Sequence, residues 1–118
     1  APLMVTHAHT SLTTEKWSAF SLDRQILMIG CEFSRINNAP LAGAEAAIRE
    51  SYERAFELLD LCTEDAKWRP RLRELLRFRE HLGELYLQSV PDKNLHHRMY
   101  RILMEWNPVT ARVYHDTA

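Results

Sequence analysis

Hydrophobic side chains recur at helical spacing along most of this 118-residue chain. The clearest run steps by four, three, four and three residues and consists of Leu22, Ile26, Ile29, Phe33 and Ile36. Steps of this size place side chains on one face of an α-helix and do not suit the alternating faces of a strand. Three further stripes follow the same rule, beginning at Ile48, Trp68 and Leu95. The pattern therefore predicts an all-α fold.

Helix boundaries are predicted from caps and prolines. Ser21 is a favourable N-cap, Pro70 suits a first helical turn, and Pro91 and Pro108 interrupt the later stripes. Four long helices are predicted, at about residues 21–37, 41–63, 69–88 and 94–106. Their short connections favour an antiparallel four-helix bundle that forms one domain over residues 1–118. Residues 1–13 are predicted to be a flexible arm, and Val109 and Val113 to mark a short helical tail.

Composition excludes several classes of protein. The net charge is −1, from 15 basic and 16 acidic residues, so bulk charge does not favour coating of nucleic acid. No apolar run reaches the roughly 20 residues of a membrane span, and the N-terminal segment lacks the features of a signal peptide. Cys31 and Cys62 both fall in apolar helical patterns, which favours two buried free thiols. We therefore expect a cytoplasmic protein without membrane contact.

Two charged ridges follow each other along the second and third predicted helices. The acidic ridge is Glu50, Glu53, Glu57, Asp60 and Glu64, and the basic ridge is Arg69, Arg73, Arg77 and His81. On a helical wheel both lie mainly away from the apolar stripes, so they are predicted to face outward. Two interpretations remain open: a solvated face laced with weak ion pairs, or a docking surface for phosphate or a charged protein.

Polar residues within or beside the apolar stripes form a separate group. Arg79 falls on the apolar face of the third helix, where a charge needs a partner. Glu32 and Gln25 flank the apolar stripe of the first helix and are the predicted partners. These three residues are therefore predicted to form a buried polar group that fixes the register of the helices.

Apolar residues also occur outside the main stripes. A monomeric bundle needs only one apolar face per helix, so a second set suggests an oligomer interface. The predicted interface residues are Leu27, Met28, Cys31, Phe78 and Leu85. The alternative is that the arm and the tail cover this second set.

The sequence contains few features of catalysis. His81 and Glu84 have a spacing used by metal ligands in helical bundles, but no matched carboxylates accompany them. His96 and His97 project to different faces of one helix and are not expected to act together. The chain has no phosphate-binding loop and no nucleophile motif. No catalytic residue, metal site or cofactor is predicted.

Three functions compete on this basis. The leading one is a non-enzymatic, self-associating adaptor or accessory protein that forms a homo-oligomer and contacts a protein partner. The alternative is a nucleic-acid-binding accessory protein, which would use the residues Arg69, Arg73, Arg77, Lys67, Arg98 and Arg101. The third is a metal-dependent helical-bundle enzyme.

Two resemblances bear on these functions. The residues from Trp17 to Glu80, including Ser21-Leu22, Ile29-Gly30, Arg54-Ala55 and Arg71-Leu72, resemble a group of small bacterial and archaeal helical proteins without known activity. That resemblance implies a helical bundle and no particular reaction. An analogy of shape, resting on no shared motif, also links the chain to four-helix-bundle proteins of ribosomal RNA intervening sequences and retroelements. Those proteins imply oligomerisation and nucleic-acid binding through basic surfaces.

Overall fold

The computed structural model describes residues 12–38, 44–88 and 91–117. This part of the chain contains six α-helices and one 3₁₀ segment, and none of it is strand. The helices are α1 (Thr14–Ser18), α2 (Leu22–Asn37), α3 (Glu45–Thr63), α4 (Leu72–Tyr86), α5 (Lys93–Met104) and α6 (Pro108–Thr117), with the 3₁₀ segment at Ala66–Arg71 between α3 and α4. The predicted all-α class is confirmed.

Local capping explains where the helices begin. The side chains of Ser21 and Asp92 accept hydrogen bonds from backbone N–H groups of the first turns of α2 and α5. Thr13 does the same for α1, so the end of the predicted arm already caps a helix. Helix α3 begins at Glu45, later than predicted, and residues 1–11 and 41–43 lie outside the described part of the chain.

The third predicted helix is divided into two conformations. Asp65 caps a 3₁₀ segment that contains Pro70, and α-helical hydrogen bonding begins only at Leu72. A proline ring removes one backbone donor, so the tighter 3₁₀ form carries the chain from α3 into α4. The predicted start at residue 69 is therefore wrong by three residues. The end is Tyr86, two residues before the predicted one.

The four longest helices contact one another in a cyclic order. Helix α2 contacts α3 and α5, and α4 contacts the same two neighbours, while α1 and α6 pack against this group. Phe33 of α2 lies near its centre, with ring contacts to Tyr52, Phe78 and Tyr100. Three helices thus contribute aromatic rings to the surroundings of one α2 side chain.

Gly30 sets the distance between α2 and α5. A Cβ atom at this position would lie 3.0 Å from Met104 Sδ and 3.4 Å from Tyr100 Cε1. A side chain here would push against α5, so the glycine permits the close approach of the two helices.

The apolar residues outside the main stripes differ in their burial. Phe78 and Leu85 are buried within the chain's own core, so their assignment to an oligomer interface is wrong. The reason is that α4 is covered by both α3 and α5, which buries a wider arc than one stripe. Leu27 and Met28 are half-buried and pack against the same core. Cys31 is exposed, contrary to the expectation of two buried thiols, and only Cys62 is buried.

Candidate interaction surface

Leucine side chains lie exposed along the outward face of α4. Leu72, Leu76 and Leu87 expose 37%, 48% and 85% of their surfaces, the last being the residue that follows the helix. At about 100° per residue, these three and Gly83 fall within an arc of about 60°. A Cβ atom at Gly83 would meet no atom within 4 Å. We call these four residues the leucine stripe.

Four exposed charges border one side of the leucine stripe. They are Arg73 and Arg77 in the first half of α4, and Glu80 and Glu84 in the second half. Glu84 lies 3.2 Å from His81 Nδ1. Within the described ranges, neither Arg73 nor Arg77 has a hydrogen-bond or ion-pair partner. We call these four residues the charged rim.

The other side of the leucine stripe is the seam between α3 and α4. Arg79 Nε donates to Asp60 Oδ1 over 2.8 Å, and its guanidinium lies 5.1 Å from the centre of the Phe56 ring. The side chain of Arg79 is 41% exposed, so its predicted burial is wrong. Its partner is Asp60, and not the predicted Glu32 or Gln25.

The acidic ridge is also partly engaged across this seam. Besides Asp60, Glu53 accepts a 2.6 Å hydrogen bond from the Tyr86 hydroxyl. Arg49 covers the Tyr86 ring at 4.7 Å. Arg73 and Arg77 face outward as predicted, and Glu53 and Asp60 are likewise exposed, although each of these two carboxylates pairs with a side chain of α4.

The predicted nucleic-acid residues are not equally available. Lys67 donates to Asp65 Oδ2 and to the carbonyl of Ser18, and Arg101 lies 3.4 Å from Glu105. The others, for which the described ranges show no such partner, are Arg69, Arg73, Arg77 and Arg98. Arg71 belongs with them, although it was not predicted. From Lys67 to Arg79 the chain has six basic residues and one acidic residue, so this stretch is strongly positive.

Gln25 is buried, as predicted, and lies at the centre of a polar cluster. Its Nε2 donates to the Trp17 carbonyl over 2.8 Å and to Asp65 Oδ2 over 2.9 Å. Its Oε1 accepts from Trp68 Nε1 over 2.7 Å. Gln25 is fully buried. Burial acts to raise the pKa of the Asp65 carboxyl, but hydrogen bonds from Lys67 and Gln25 to this carboxyl hold its pKa below the usual value. The cluster joins α1, α2 and the 3₁₀ segment.

Glu32 is buried as predicted, but it pairs with α3. Arg54 Nε donates to Glu32 Oε1 over 3.0 Å, and Arg35 lies 3.7 Å from the same oxygen. Arg54 also reaches Glu50, so its guanidinium bridges two carboxylates. This pairing satisfies the buried charge and fixes α2 against α3.

A second buried cluster of polar side chains surrounds His96. It was not predicted from the sequence. The His96 Nδ1 atom lies 2.8 Å from the Tyr52 hydroxyl, and its Nε2 lies 2.9 Å from Asn37 Oδ1. A neutral ring that is protonated on Nε2 satisfies both contacts, because it donates to Asn37 and accepts from Tyr52. Burial lowers the pKa of His96 to about 4. The ring stacks on Phe33, with centroids 5.1 Å apart.

The described residues also form a polar cleft between α2, α5 and α6. Its volume is about 390 Å³, and its lining is Ser34, Asn37, Asn38, His97, Tyr100, Tyr114 and Thr117. Across the described ranges, no group of three or more His, Cys, Asp and Glu side chains is arranged to hold a metal ion. None of the helices there is long and apolar enough to cross a membrane.

No family model, no curated protein and no solved structure matches this chain. The resemblance to small bacterial and archaeal helical proteins therefore stays a prediction.

Proposed function

We propose that the protein is a non-enzymatic, self-associating helical adaptor whose self-association surface lies on α4. The observation that carries this proposal is the leucine stripe, with Leu87 85% exposed. Exposed apolar residues in a row are costly in water, and covering them by another protein surface removes that cost. Leucines with a border of charges, arginines among them, match the apolar centre and polar rim of protein interfaces.

The proposed scaffold is an antiparallel four-helix bundle of α2 to α5. The cyclic order of contacts among these helices supports it, as do the connections between them. The free thiols support a reducing compartment such as the cytoplasm, because one of them is exposed. The exposed carboxylate of Glu64 and the polar cleft remain as surfaces for an adaptor's further partner.

Self-association is tested by mass in solution. Sedimentation equilibrium of the full chain between about 1 and 200 µM is expected to show a dimer or larger species, since a small interface of this kind corresponds to micromolar affinity. Leu76→Glu is expected to weaken association by at least about 30-fold, because it places a charge in the apolar stripe. Val109→Glu changes a valine on α6 that is 54% exposed, against 48% for Leu76, and is the matched control. A monomeric wild type at 200 µM contradicts the proposal.

Nucleic-acid binding is the second candidate, and the arginines that have no ion-pair partner among the described residues favour it. Arg69, Arg71, Arg73 and Arg77 lie in one positive stretch of a chain whose net charge is close to zero. Guanidinium groups without carboxylate partners are suited to phosphates, and such binding depends on salt concentration. This candidate concerns Arg69 and Arg71 above all, because Arg73 and Arg77 also border the leucine stripe.

Fluorescence anisotropy with a labelled 20-nucleotide RNA tests this candidate. Binding at 50 mM salt is expected to weaken by roughly tenfold or more at 200 mM if about four phosphates are contacted. At 50 mM salt, the double variant Arg69→Ala/Arg71→Ala should bind the RNA more weakly than the wild type. Arg112→Ala on α6 should bind as the wild type does. Absence of binding at 50 mM salt excludes the candidate without affecting self-association.

A further inference from the structure

We propose that two copies of the chain pair through α4 in an antiparallel arrangement, with a two-fold axis passing close to Glu80. This inference rests on the proposed self-association and specifies its geometry. The occupant of the leucine stripe is thus a second copy of the same stripe. Two properties of α4 carry the inference: the positions of its exposed leucines and the order of its charges.

The leucine stripe is symmetric about one midpoint. Leu72 and Leu87 are equally far from the point between Arg79 and Glu80, and so are Leu76 and Gly83. In an antiparallel pair centred there, Leu72 of each copy lies opposite Leu87 of the other. Leu76 of each copy lies opposite Gly83, where a Cβ atom would meet nothing within 4 Å. The missing side chain leaves space for the opposing leucine.

The charged rim is complementary to itself about the same midpoint. In the antiparallel pair, Arg73 and Arg77 of one copy lie along the rim that holds Glu80 and Glu84 of the other. A two-fold axis normal to the plane of both helices keeps the two rims on the same side. Arg77 of one copy therefore lies level with the gap between Glu80 and Glu84 of the other, and Arg73 lies beyond Glu84, while the two Glu80 side chains meet beside the axis. In a parallel pair, with each residue at the same height as its equivalent in the other copy, like charges lie opposite each other, which opposes association.

The same charges are arranged unfavourably within a single α4. Arg73 and Arg77 are like charges four residues apart, and so are Glu80 and Glu84, which is unfavourable, although Arg77 and Glu80 form an opposite-charge pair three residues apart. The arginines also lie nearer the N-terminus and the glutamates nearer the C-terminus, opposite to the preference of the helix dipole. An antiparallel second copy offsets both effects, because it brings glutamates to the arginine end and reverses the dipole. The arginine end of each helix is thus better matched by the glutamate end of a second copy than by its own helix dipole.

Disulfide trapping tests the register in the full chain. The background is Cys31→Ser, which removes the exposed thiol and leaves the buried Cys62. Glu80→Cys places a thiol beside the proposed axis, where two copies come within the roughly 7 Å between Cα atoms that a disulfide allows. Arg73→Cys is the matched control on the same rim. Its two copies lie about 20 Å apart in the proposed pair, given a rise of 1.5 Å per residue.

The expected result is oxidation of most Glu80→Cys protein to a covalent dimer at 100 µM, with at least tenfold less dimer for Arg73→Cys. A mixture of Arg73→Cys and Leu87→Cys proteins should give the heterodimer. Equal cross-linking at positions 73 and 80 indicates parallel packing and overturns the register. An oligomeric wild type without cross-linking at position 80 also overturns it while self-association stands. A monomeric wild type removes both proposals, and RNA binding by that monomer assigns the arginines to phosphate.

Discussion

Replacement of Gln25 by glutamate is expected to destabilise the fold by about 3–5 kcal/mol at pH 7, as for an uncompensated buried charge. Gln25 is fully buried, and its Nε2 lies 2.9 Å from Asp65 Oδ2. The substitution brings two carboxylates into contact and removes the donor to the Trp17 carbonyl. Urea unfolding followed by tryptophan fluorescence measures the change.

Two further variants make this result specific. Gln88→Glu introduces the same charge at an exposed position and is expected to change the free energy of unfolding by less than about 0.5 kcal/mol. Asp65→Asn in the Gln25→Glu background should recover part of the lost stability, because an amide again faces a carboxylate. A Gln25→Glu protein with an unchanged urea midpoint contradicts the assigned role of the cluster.

Acid is expected to destabilise the protein through His96. Burial lowers the pKa of His96 to about 4 in the folded chain, whereas an unfolded histidine titrates near 6.5. Between these values the unfolded state binds the extra proton, so the free energy of unfolding falls as the pH falls from about 6.5 to about 4. The contribution present above pH 6.5 is about 3 kcal/mol, and it is lost over that window.

The histidine effect is measured as the slope of stability against pH. Unfolding free energies at equal protein concentration are compared at four or five values between pH 4 and 7. His96→Gln is expected to be less stable at pH 7, because the Tyr52 contact changes, but its slope should be smaller by up to about 1.4 kcal/mol per pH unit. Equal slopes for wild type and His96→Gln contradict the assignment.

The helices were predictable because their signals are local. Apolar spacing and the caps Ser21 and Asp92 lie within the segments they define, so the helices and several ends could be inferred from the sequence. The start of α4 was not predictable in this way. Asp65 and Trp68 are held by Gln25, 40 and 43 residues earlier in the chain, and no local pattern contains that contact.

The side-chain partners were the harder part to predict. A helical wheel places Arg79 near an apolar face, but a long side chain extends past that face to Asp60. His96 has a histidine as its sequence neighbour, yet its partners Tyr52 and Asn37 are 44 and 59 residues away. The basic ridge was visible in the sequence, whereas the exposure of Leu72 and Leu76 beside it required the packing of α3 and α5 around α4.

The unequal environments of the two thiols give the chain a chemical asymmetry. Cys31 is exposed on α2, while Cys62 is buried in α3 and burial raises the pKa of its thiol to about 12. The thiolate is the reactive form, so alkylating reagents meet one reactive group in the native chain. Cys62 becomes accessible only when α3 separates from the core. Its rate of modification therefore reports opening of the interior, and that of Cys31 reports events on the surface.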